Sequence, residues 1–455
     1  MNLKEKIFTL KRKLFATWEY NERLQLLEEK LTETGEQLQA LTNISRTNFK
    51  LSAGISKRIS HSFNKIHCLF VINNLNVWHS LDALIRSLRL DDDFKVTVVS
   101  VNKRFPGQDC FSGEPDVHKF LLANGIHHIR LGMKDSFQAL EIIMALSPDV
   151  IFRQSQWDDD YPPGLSSDYL RFTRLAIVPY DICNFVENVI YKGDIKNSAV
   201  DSPFHRRCWR VYCANNEMLK IARMDGSLQG RQFRVVGHPK IDYLLNVKAY
   251  WPFKRVGECT SRILWSPHHS ITQGWTDFGL FPLIWRQMLE LAEKLTTVEF
   301  VFCPHPALIT QLSGPHSPIP TSEWEEFKER WSNLPGCHQY YGADYAAVAA
   351  ASDLIITDDI SLLAEGQLLR KPIIFTEREI HAPFNSIGNC LLKGFHTIND
   401  VDALEGTITA ILRGKLSGLG VEQTENVERI FPVRDSVHNI IADLKSIKYS
   451  RLCDI

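Results

Sequence analysis

The sequence has no cysteine-pair motif, no membrane-spanning stretch and almost no net charge. Its 10 cysteines include no C-x-x-C pair, so neither a zinc site nor a disulfide framework is expected. No apolar run approaches the ~18 residues needed to span a bilayer, and the N-terminus lacks the residue order of a signal peptide. The 52 Lys and Arg residues against 53 Asp and Glu residues leave a net charge of -1. This balance excludes an overall positive potential that would attract nucleic acid. These absences predict a cytoplasmic globular protein without a nucleic-acid partner.

The first sixty residues differ in pattern from the rest of the 455-residue chain. Apolar residues there recur at alternating spacings of three and four between Tyr20 and Leu41, which predicts a helix or a short coiled coil. Upstream, basic residues alternate with aromatic and aliphatic ones from Lys4 to Trp18, a pattern typical of helices that lie on anionic membranes. Two readings stay open for residues 1–60: peripheral membrane contact, or packing on the protein's own body or in a homo-oligomer.

Short apolar runs alternate with helical stretches after residue 60. Predicted strands fall in two blocks, at 66–72, 95–101, 149–152, 174–178, 210–213 and 233–236, and then at 263–265, 299–303, 338–341, 354–356 and 372–375. This alternation is typical of parallel sheets covered by helices on both faces. We therefore predict an α/β protein with two doubly wound, Rossmann-type domains, at 61–250 and 251–430, facing a cleft. A C-terminal helix is predicted within 431–455.

The stretch 351–366 places a helix directly after a buried strand. Ser361 and Leu362 lie in the first turn of that helix, and Glu365 follows Ser361 on the same face. A helix start of this kind suits a phosphate, because its unpaired N–H groups and dipole point at the ligand. We expect Asp358, Ser361 and Leu362 to border a nucleotide diphosphate and Glu365 to accept ribose hydroxyls. The other reading is that Asp358, Asp359 and Ser361 only cap the helix.

Three histidines follow two neighbouring strands of the second block. His268, His269 and Ser270 come after the strand at 263–265, and His305 stands between two prolines after the strand at 299–303. A proline keeps the preceding residue extended, so His305 should stay at the strand exit. A protonated or N–H-donating imidazole can neutralise charge on a departing diphosphate. We expect His305 and His268 to be catalytic and His269 and Ser270 to bind the donor, with structural histidines as the alternative.

The first block offers candidates for the acceptor side. Tyr180 and Asp181 follow the buried strand at 174–178, and Trp157 stands in an acidic, aromatic loop. Because ligands of parallel sheets bind beyond the carboxyl ends of the strands, these residues should face the cleft. Asp181 is a candidate general base for an acceptor hydroxyl, with Tyr180 and Trp157 orienting the acceptor. A proline turn with Asp181 bonded to nearby backbone, and a solvated loop around Trp157, are the alternatives.

Motifs of the second block, taken in order, resemble the CDP-glycerol glycerophosphotransferase family, which includes teichoic acid and capsule polymerases of the GT-B fold. The matching pieces cover about 140 residues: Gly237-His238-Pro239-Lys240-Ile241-Asp242, Trp265-Ser266-Pro267-His268-His269-Ser270, Pro304-His305-Pro306, the run from Ser352 to Asp358, Ser361 with Glu365, and the run from Lys371 to Phe375. The resemblance implies that His305 contacts the donor diphosphate, Ser361 holds a phosphate and Glu365 binds the ribose.

Two departures from the family pattern bear on the chemistry. The family's acceptor-base histidine has no counterpart, since Pro179-Tyr180-Asp181 stands at that strand end, and Cys303 replaces a lysine often found before the His-Pro pair. A sugar rather than a glycerophosphate is therefore a candidate for the transferred group. Neither a metal nor a cofactor is expected, because Asp353, Asp358 and Asp359 do not form a D-x-D pattern and helix amides and imidazoles can supply the charge neutralisation.

The sequence predicts a transferase that moves a glycosyl or polyol-phosphate group from a nucleotide-diphosphate donor to a cell-surface polysaccharide precursor. Its partners would be that nucleotide-activated donor and a glycan or lipid-linked acceptor. Two other functions remain open: a nucleotide-sugar 2-epimerase of the same fold, and a non-catalytic coiled-coil scaffold with a degenerate transferase domain.

Overall fold

The computed structural model describes residues 6, 7, 11, 20, 23–39, 41, 42, 45, 65–104, 108–187, 197–254, 257–272, 276–342 and 344–453. The chain divides into two compact units, Met1–Ser62 and Phe63–Ile455. In the first unit, residues 23–39 form helix α1, as the apolar periodicity predicted, and Leu27, Leu31 and Leu38 of that seam are exposed. Most of the basic, aromatic segment upstream lies outside the described residues, so its membrane role stays a prediction.

The second unit contains two parallel sheets. The first has seven strands in the order β3-β2-β1-β4-β5-β6-β7. Its strands are β1 Ile66–Ile72, β2 Phe94–Ser100, β3 Ile129–Arg130, β4 Val150–Arg153, β5 Arg174–Ile177, β6 Arg210–Cys213 and β7 Phe233–Val235. Every residue of β1 is buried, because helices cover both faces of the sheet. The strand order reverses between β1 and β4, which makes this a doubly wound sheet.

The second sheet repeats this topology with six strands in the order β10-β9-β8-β11-β12-β13. Its strands are β8 Ser261–Ser266, β9 Val298–Phe302, β10 Cys337–Gln339, β11 Leu354–Thr357, β12 Ile373–Thr376 and β13 His396–Ile398. All of the recorded pairings between these strands are parallel. Two doubly wound domains are the predicted fold class, which is thereby confirmed.

Helices connect the strands of both sheets. Around the first sheet they are α2 Asp82–Leu90, α3 Glu114–Ala123, α4 Ser136–Leu146, α5 Ser167–Leu170, α6 Ser198–Asp201, α7 Pro203–Arg207, α8 Asn216–Asp225 and α9 Pro239–Leu244. Around the second they are α10 Phe281–Lys294, α11 Pro306–Leu312, α12 Thr321–Asn333, α13 Tyr345–Ala351, α14 Ile360–Leu368, α15 Ser386–Leu391, α16 Leu404–Leu412 and α17 Gly420–Ile430. Short 3-10 helices occupy Leu75–Ser80, Asp158–Asp160, Pro163–Leu165, Leu392–Gly394 and Val401–Ala403.

The last helix, α18 Ser436–Cys453, returns to the first sheet. Its apolar residues Ile440, Leu444 and Ile447 are buried in the same core cluster as β1. The Asp443 carboxylate accepts hydrogen bonds from the Arg210 guanidinium and the Tyr212 hydroxyl, both at 2.9 Å. The chain therefore passes from the first sheet to the second and back to the first.

A second connection lies beside the cleft. Val186, in the loop after β5, forms an antiparallel bridge with Phe384 of the second domain. The Asn385 backbone N–H donates to the Phe185 carbonyl at 2.8 Å, and its side-chain amide donates to the Asn184 carbonyl at 2.9 Å. These contacts fix the loop that follows Asp181 against the second domain.

Candidate functional site

A cavity of about 260 Å³, here cavity A, lies between the carboxyl ends of the two sheets. Loops of both domains line it. From the first sheet come Asn73, Asn74, Asn76, Lys103, Gln154, Ser155, Trp157, Asp160 and Tyr180, and from α9 and the second sheet come Lys240, Ser266, His269, Cys303, His305, Tyr340, Tyr341, Tyr345, Asp359, Ser361, Leu362 and Glu365. The crevice beyond the strand ends is where doubly wound folds bind ligands.

A smaller cavity of about 140 Å³, here cavity B, adjoins cavity A. Residues that line both are Trp157, Tyr180, His269, His305, Asp359 and Ser361. Asp181 and His268 line cavity B alone. The cleft therefore offers two neighbouring compartments that meet at a group of aromatic and polar side chains.

The three predicted histidines form one cluster. The His269 ring lies 4.2 Å from that of His305 and 4.3 Å from that of His268, centroid to centroid. Burial lowers the pKa of all three rings well below the usual range, so they are neutral near pH 7. His305 Nδ1 accepts the Ala307 N–H at 3.2 Å, which leaves the proton of the neutral ring on Nε2. His305 is thus arranged as a neutral N–H donor.

Two predicted donor-binding residues lie beneath the cavities. Asp358 accepts the backbone N–H of His268 at 2.6 Å and that of Leu280 at 2.5 Å. Ser270 Oγ accepts the Phe278 N–H at 2.9 Å and lies 2.7 Å from His268 Nδ1. Neither Asp358 nor Ser270 is among the residues that line cavity A or B. Their side chains hold the loop that carries His268 and His269, and direct donor binding by Asp358 and Ser270 stays a prediction.

The start of helix α14 is already capped. The Asp359 carboxylate accepts the Ser361 N–H at 2.9 Å, which is the capping role that the sequence left open. The expectation of unpaired N–H groups is therefore wrong for Ser361, whose side chain nevertheless borders both cavities. Burial, together with the nearby Glu365 charge, raises the pKa of Asp359 to about 6. Leu362 contributes an apolar edge to cavity A.

Glu365 belongs to a buried bridge between the domains. Its side chain is fully buried, and its Oε1 lies 2.5 Å from Lys240 Nζ of helix α9. The Tyr345 hydroxyl donates to the other carboxylate oxygen. The carboxylate that was expected to bind ribose is thus engaged by two protein groups at the wall of cavity A. Ribose binding by Glu365 stays a prediction. A ribose hydroxyl would have to donate to the remaining lone pairs of these two oxygens.

The exit of β5 is held from two sides. Trp157 Nε1 donates to the Tyr180 hydroxyl at 3.2 Å. His238 Nδ1 accepts the Lys240 N–H, so its Nε2–H donates to the Pro179 carbonyl at 2.7 Å. Gly237, at φ +82, makes the turn before His238, and a Cβ there would meet the Val433 carbonyl oxygen at 3.0 Å. The Gly237-His238-Pro239 motif therefore positions Tyr180 and Asp181.

Asp181 is partly exposed to cavity B. Its position deep in the cleft raises the pKa of the carboxyl group, mainly through loss of hydration. A raised pKa brings a carboxylate closer to the range in which it exchanges protons near neutral pH. The geometry is compatible with the predicted general base, and the role itself stays a prediction.

Sequence reasoning missed several residues of cavity A. Lys103 lines it, and burial lowers the pKa of its ammonium to about 8. Tyr340 and Tyr341 follow the short strand β10, and Tyr345 begins α13. The tyrosines carried a signal, since they cluster at a predicted strand end. Lys103 carried none, because a single lysine after a strand is common on protein surfaces.

Within the part of the chain that the structure describes, no group of three or more His, Cys, Asp and Glu side chains could hold a metal ion. Metal independence remains a sequence-based prediction. The nine cysteines from Cys68 to Cys390 are free thiols. Among the described helices, none is long and apolar enough to cross a membrane.

No family model matches the chain, and no curated protein matches it. Solved structures do. A UDP-GlcNAc 2-epimerase from Neisseria meningitidis bound to UDP-GlcNAc aligns with a TM-score of 0.57 at 13% identity over 84% of this chain and 100% of its own. A putative UDP-N-acetylglucosamine 2-epimerase from Listeria monocytogenes aligns at 0.55 and 15% identity, over 84% and 96%. The wall teichoic acid polymerase TagF with CDPG aligns at 0.52 and 12% identity, over 90% and 97%.

These neighbours confirm the two-domain GT-B-like fold that the resemblance implied. They include the wall teichoic acid polymerase TagF, whose fold agrees with the suspected resemblance, and they equally include 2-epimerases. At these identities the likeness carries the fold and leaves the reaction to be argued from the site.

Proposed function

We propose that this protein is a transferase that moves a glycosyl or polyol-phosphate group from a nucleotide-diphosphate donor to a hydroxyl of a cell-surface polysaccharide precursor. The observation that supports it is the pair of cavities meeting at His269, His305 and Ser361. A transferase must hold two substrates with their reacting atoms in contact. Two adjoining compartments, one bordered by a candidate base, suit that need.

Cavity A is the proposed donor site. Tyr340, Tyr341 and Tyr345 offer aromatic surface against which a nucleobase can pack. The diphosphate would lie beside His269 and His305, within the field of the Lys103 ammonium. Because the imidazoles are neutral, they contribute hydrogen-bond donors rather than full charges. Donors aimed at a developing negative charge in a water-poor site are worth several kcal/mol to a transition state.

The proposed reaction uses Asp181 on the acceptor side. Asp181 takes the proton of the acceptor hydroxyl, whose oxygen forms a bond to the transferred group. The bond from that group to the nucleotide's phosphate oxygen breaks, and His305 Nε2–H stabilises the charge that appears there. Transfer of a glycosyl group releases a nucleoside diphosphate, and transfer of a polyol phosphate releases a nucleoside monophosphate.

A nucleotide-sugar 2-epimerase is the second candidate, because solved 2-epimerases share this fold. It needs one substrate and no acceptor. In that case cavity B would hold the sugar of the same nucleotide rather than a second molecule. A scaffold without activity is the third candidate and predicts that no nucleotide binds.

We also propose that residues 1–60 bring the enzyme to its acceptor at the inner face of the membrane, or join two copies of the chain. The exposed leucines of α1 are compatible with self-association.

A thermal-shift panel of CDP-, UDP-, GDP- and CMP-linked compounds tests the proposal. A transferase or epimerase is stabilised by its own compound, by about 2.7 kcal/mol at a hundred times its Kd. Product analysis with and without a glycan acceptor then separates transfer from epimerisation. An epimeric sugar nucleotide formed without acceptor supports the second candidate, and the absence of any stabilising compound contradicts both enzymes.

A further inference from the structure

Two residues that line cavity B, Gln156 and Thr276, each carry a buried polar atom, Oε1 and Oγ1 respectively, for which the described residues supply no hydrogen-bond partner. The side chains are 9% and 5% exposed, respectively. Gln156 follows β4 in the first domain, and Thr276 lies before α10 in the second. A buried polar group without a partner costs stability, so two such residues in the wall of one cavity call for a ligand.

The rest of the cavity wall is amphipathic. Phe185, Val186 and Met218 line it and are almost fully buried. Asp181 borders the same space. A ligand that satisfies this wall must present hydroxyl groups on one side and C–H groups on the other. A pyranose ring has both, since its edge carries hydroxyls and its faces are largely C–H.

We propose that cavity B binds one pyranose unit of the acceptor, with Gln156 and Thr276 as the side chains that orient it. This inference rests on the proposed transferase function and extends it to the class of acceptor. A sugar hydroxyl donates to Gln156 Oε1, and Thr276 Oγ1 exchanges a hydrogen bond with a second hydroxyl. Phe185 and Met218 contact the C–H face, and the reacting hydroxyl points to Asp181. Because the two anchors come from different domains, the bound sugar links the domains across the cleft.

Thr276→Val tests this assignment, since it removes the hydroxyl and keeps the shape. We expect the free Thr276→Val protein to be as stable as wild type or more so, with a Tm up to about 2 °C higher, because a buried hydroxyl without a partner has been removed. Thr376→Val is the matched control. Thr376 Oγ1 is likewise buried and without a partner among the described residues, yet it lines neither cavity.

The binding probe is a panel of methyl α- and β-pyranosides, titrated by ligand-observed NMR against wild type, Thr276→Val, Gln156→Met and Thr376→Val. We expect at least one pyranoside to bind wild type and Thr376→Val alike and to lose about 10-fold or more in affinity with the other two variants. Glycerol is the small-polyol comparison.

The proposal is overturned if no pyranoside binds wild type, if the affinities of Thr276→Val and Gln156→Met equal that of wild type, or if glycerol binds more tightly than every pyranoside. A lower Tm for Thr276→Val would show that its hydroxyl has a structural partner, which also overturns it. Nucleotide affinity is measured on the same four proteins. If wild type binds no nucleotide, the proposed transferase function is wrong. If wild type binds nucleotide but Thr276→Val and Gln156→Met keep the wild-type affinity for pyranosides, only the assignment of cavity B is wrong.

Discussion

The Lys240–Glu365 bridge makes a sharp prediction about stability. Lys240 Nζ and Glu365 Oε1 are 2.5 Å apart, and the side chains are 7% and 0% exposed. Removing one member of such a pair leaves a charge buried without its counterion, at a cost of roughly 3–5 kcal/mol. In Lys240→Met the Tyr345 hydroxyl still donates to the Glu365 carboxylate, so we expect the loss to fall near the lower limit, at ~3 kcal/mol.

Urea unfolding of Lys240→Met, Glu365→Leu and the double variant measures this. Each single variant should lose about 3 kcal/mol or more, and the double variant should recover most of the loss, because two apolar side chains replace a desolvated ion pair. Lys294→Met is the control. Lys294 pairs with Glu405 at 3.5 Å on the surface, so its loss should change the free energy of unfolding by less than ~1 kcal/mol. Additive effects of the two bridge substitutions would contradict a net cost of burying the ion pair.

The remaining predictions concern the reaction and the loop beneath it. His305→Ala and Ser361→Ala should each lower turnover at least ~10-fold, a loss of roughly 1.4 kcal/mol in transition-state stabilisation. His316→Ala, at an exposed position, is the control. If the two variants turn over as fast as this control, neither residue takes part in the mechanism. Burial raises the pKa of Asp181, and only the ionised carboxylate accepts a proton, so turnover should fall as the pH drops through that pKa. Asp181→Asn should abolish this acidic limb of the pH–rate profile. An unchanged profile in the variant would assign the general base to another residue. Asp358→Asn should cost roughly 1–3 kcal/mol of stability, since one of two backbone N–H groups loses its acceptor; calorimetry showing an unchanged Tm would contradict this.

The strands could be predicted from the sequence because most are buried on both faces. Strand β1 was predicted at 66–72 and occupies Ile66–Ile72. A short run of apolar residues between polar turns indicates a buried strand and also marks its two ends. Strand β3, Ile129–Arg130, was missed because it is two residues long and exposed at the sheet edge. Strand β13 was also missed, since only Ile398 of its three residues is buried. Apolar patterning carries no signal at such edges.

The site residues were predictable as a group and less so in their roles. The expectation that they share a cleft follows from their positions after parallel strands, and His269, His305 and Ser361 do meet there. The partner of Glu365 was not predictable, because Lys240 is 125 residues away in sequence. The neutral state of the histidines was equally unpredictable, since it depends on burial in the fold rather than on the residues next to them in sequence. Local sequence gives position along an element, whereas charge state and pairing depend on the tertiary fold.

We propose above that a nucleotide diphosphate binds in cavity A with its phosphates beside His269 and His305. A crystal structure with the nucleotide that most stabilises the protein tests it directly. We expect a phosphate oxygen within hydrogen-bond distance of His305 Nε2 and the base against Tyr340 and Tyr341. Phosphates bound outside cavity A, away from both imidazoles, would contradict it.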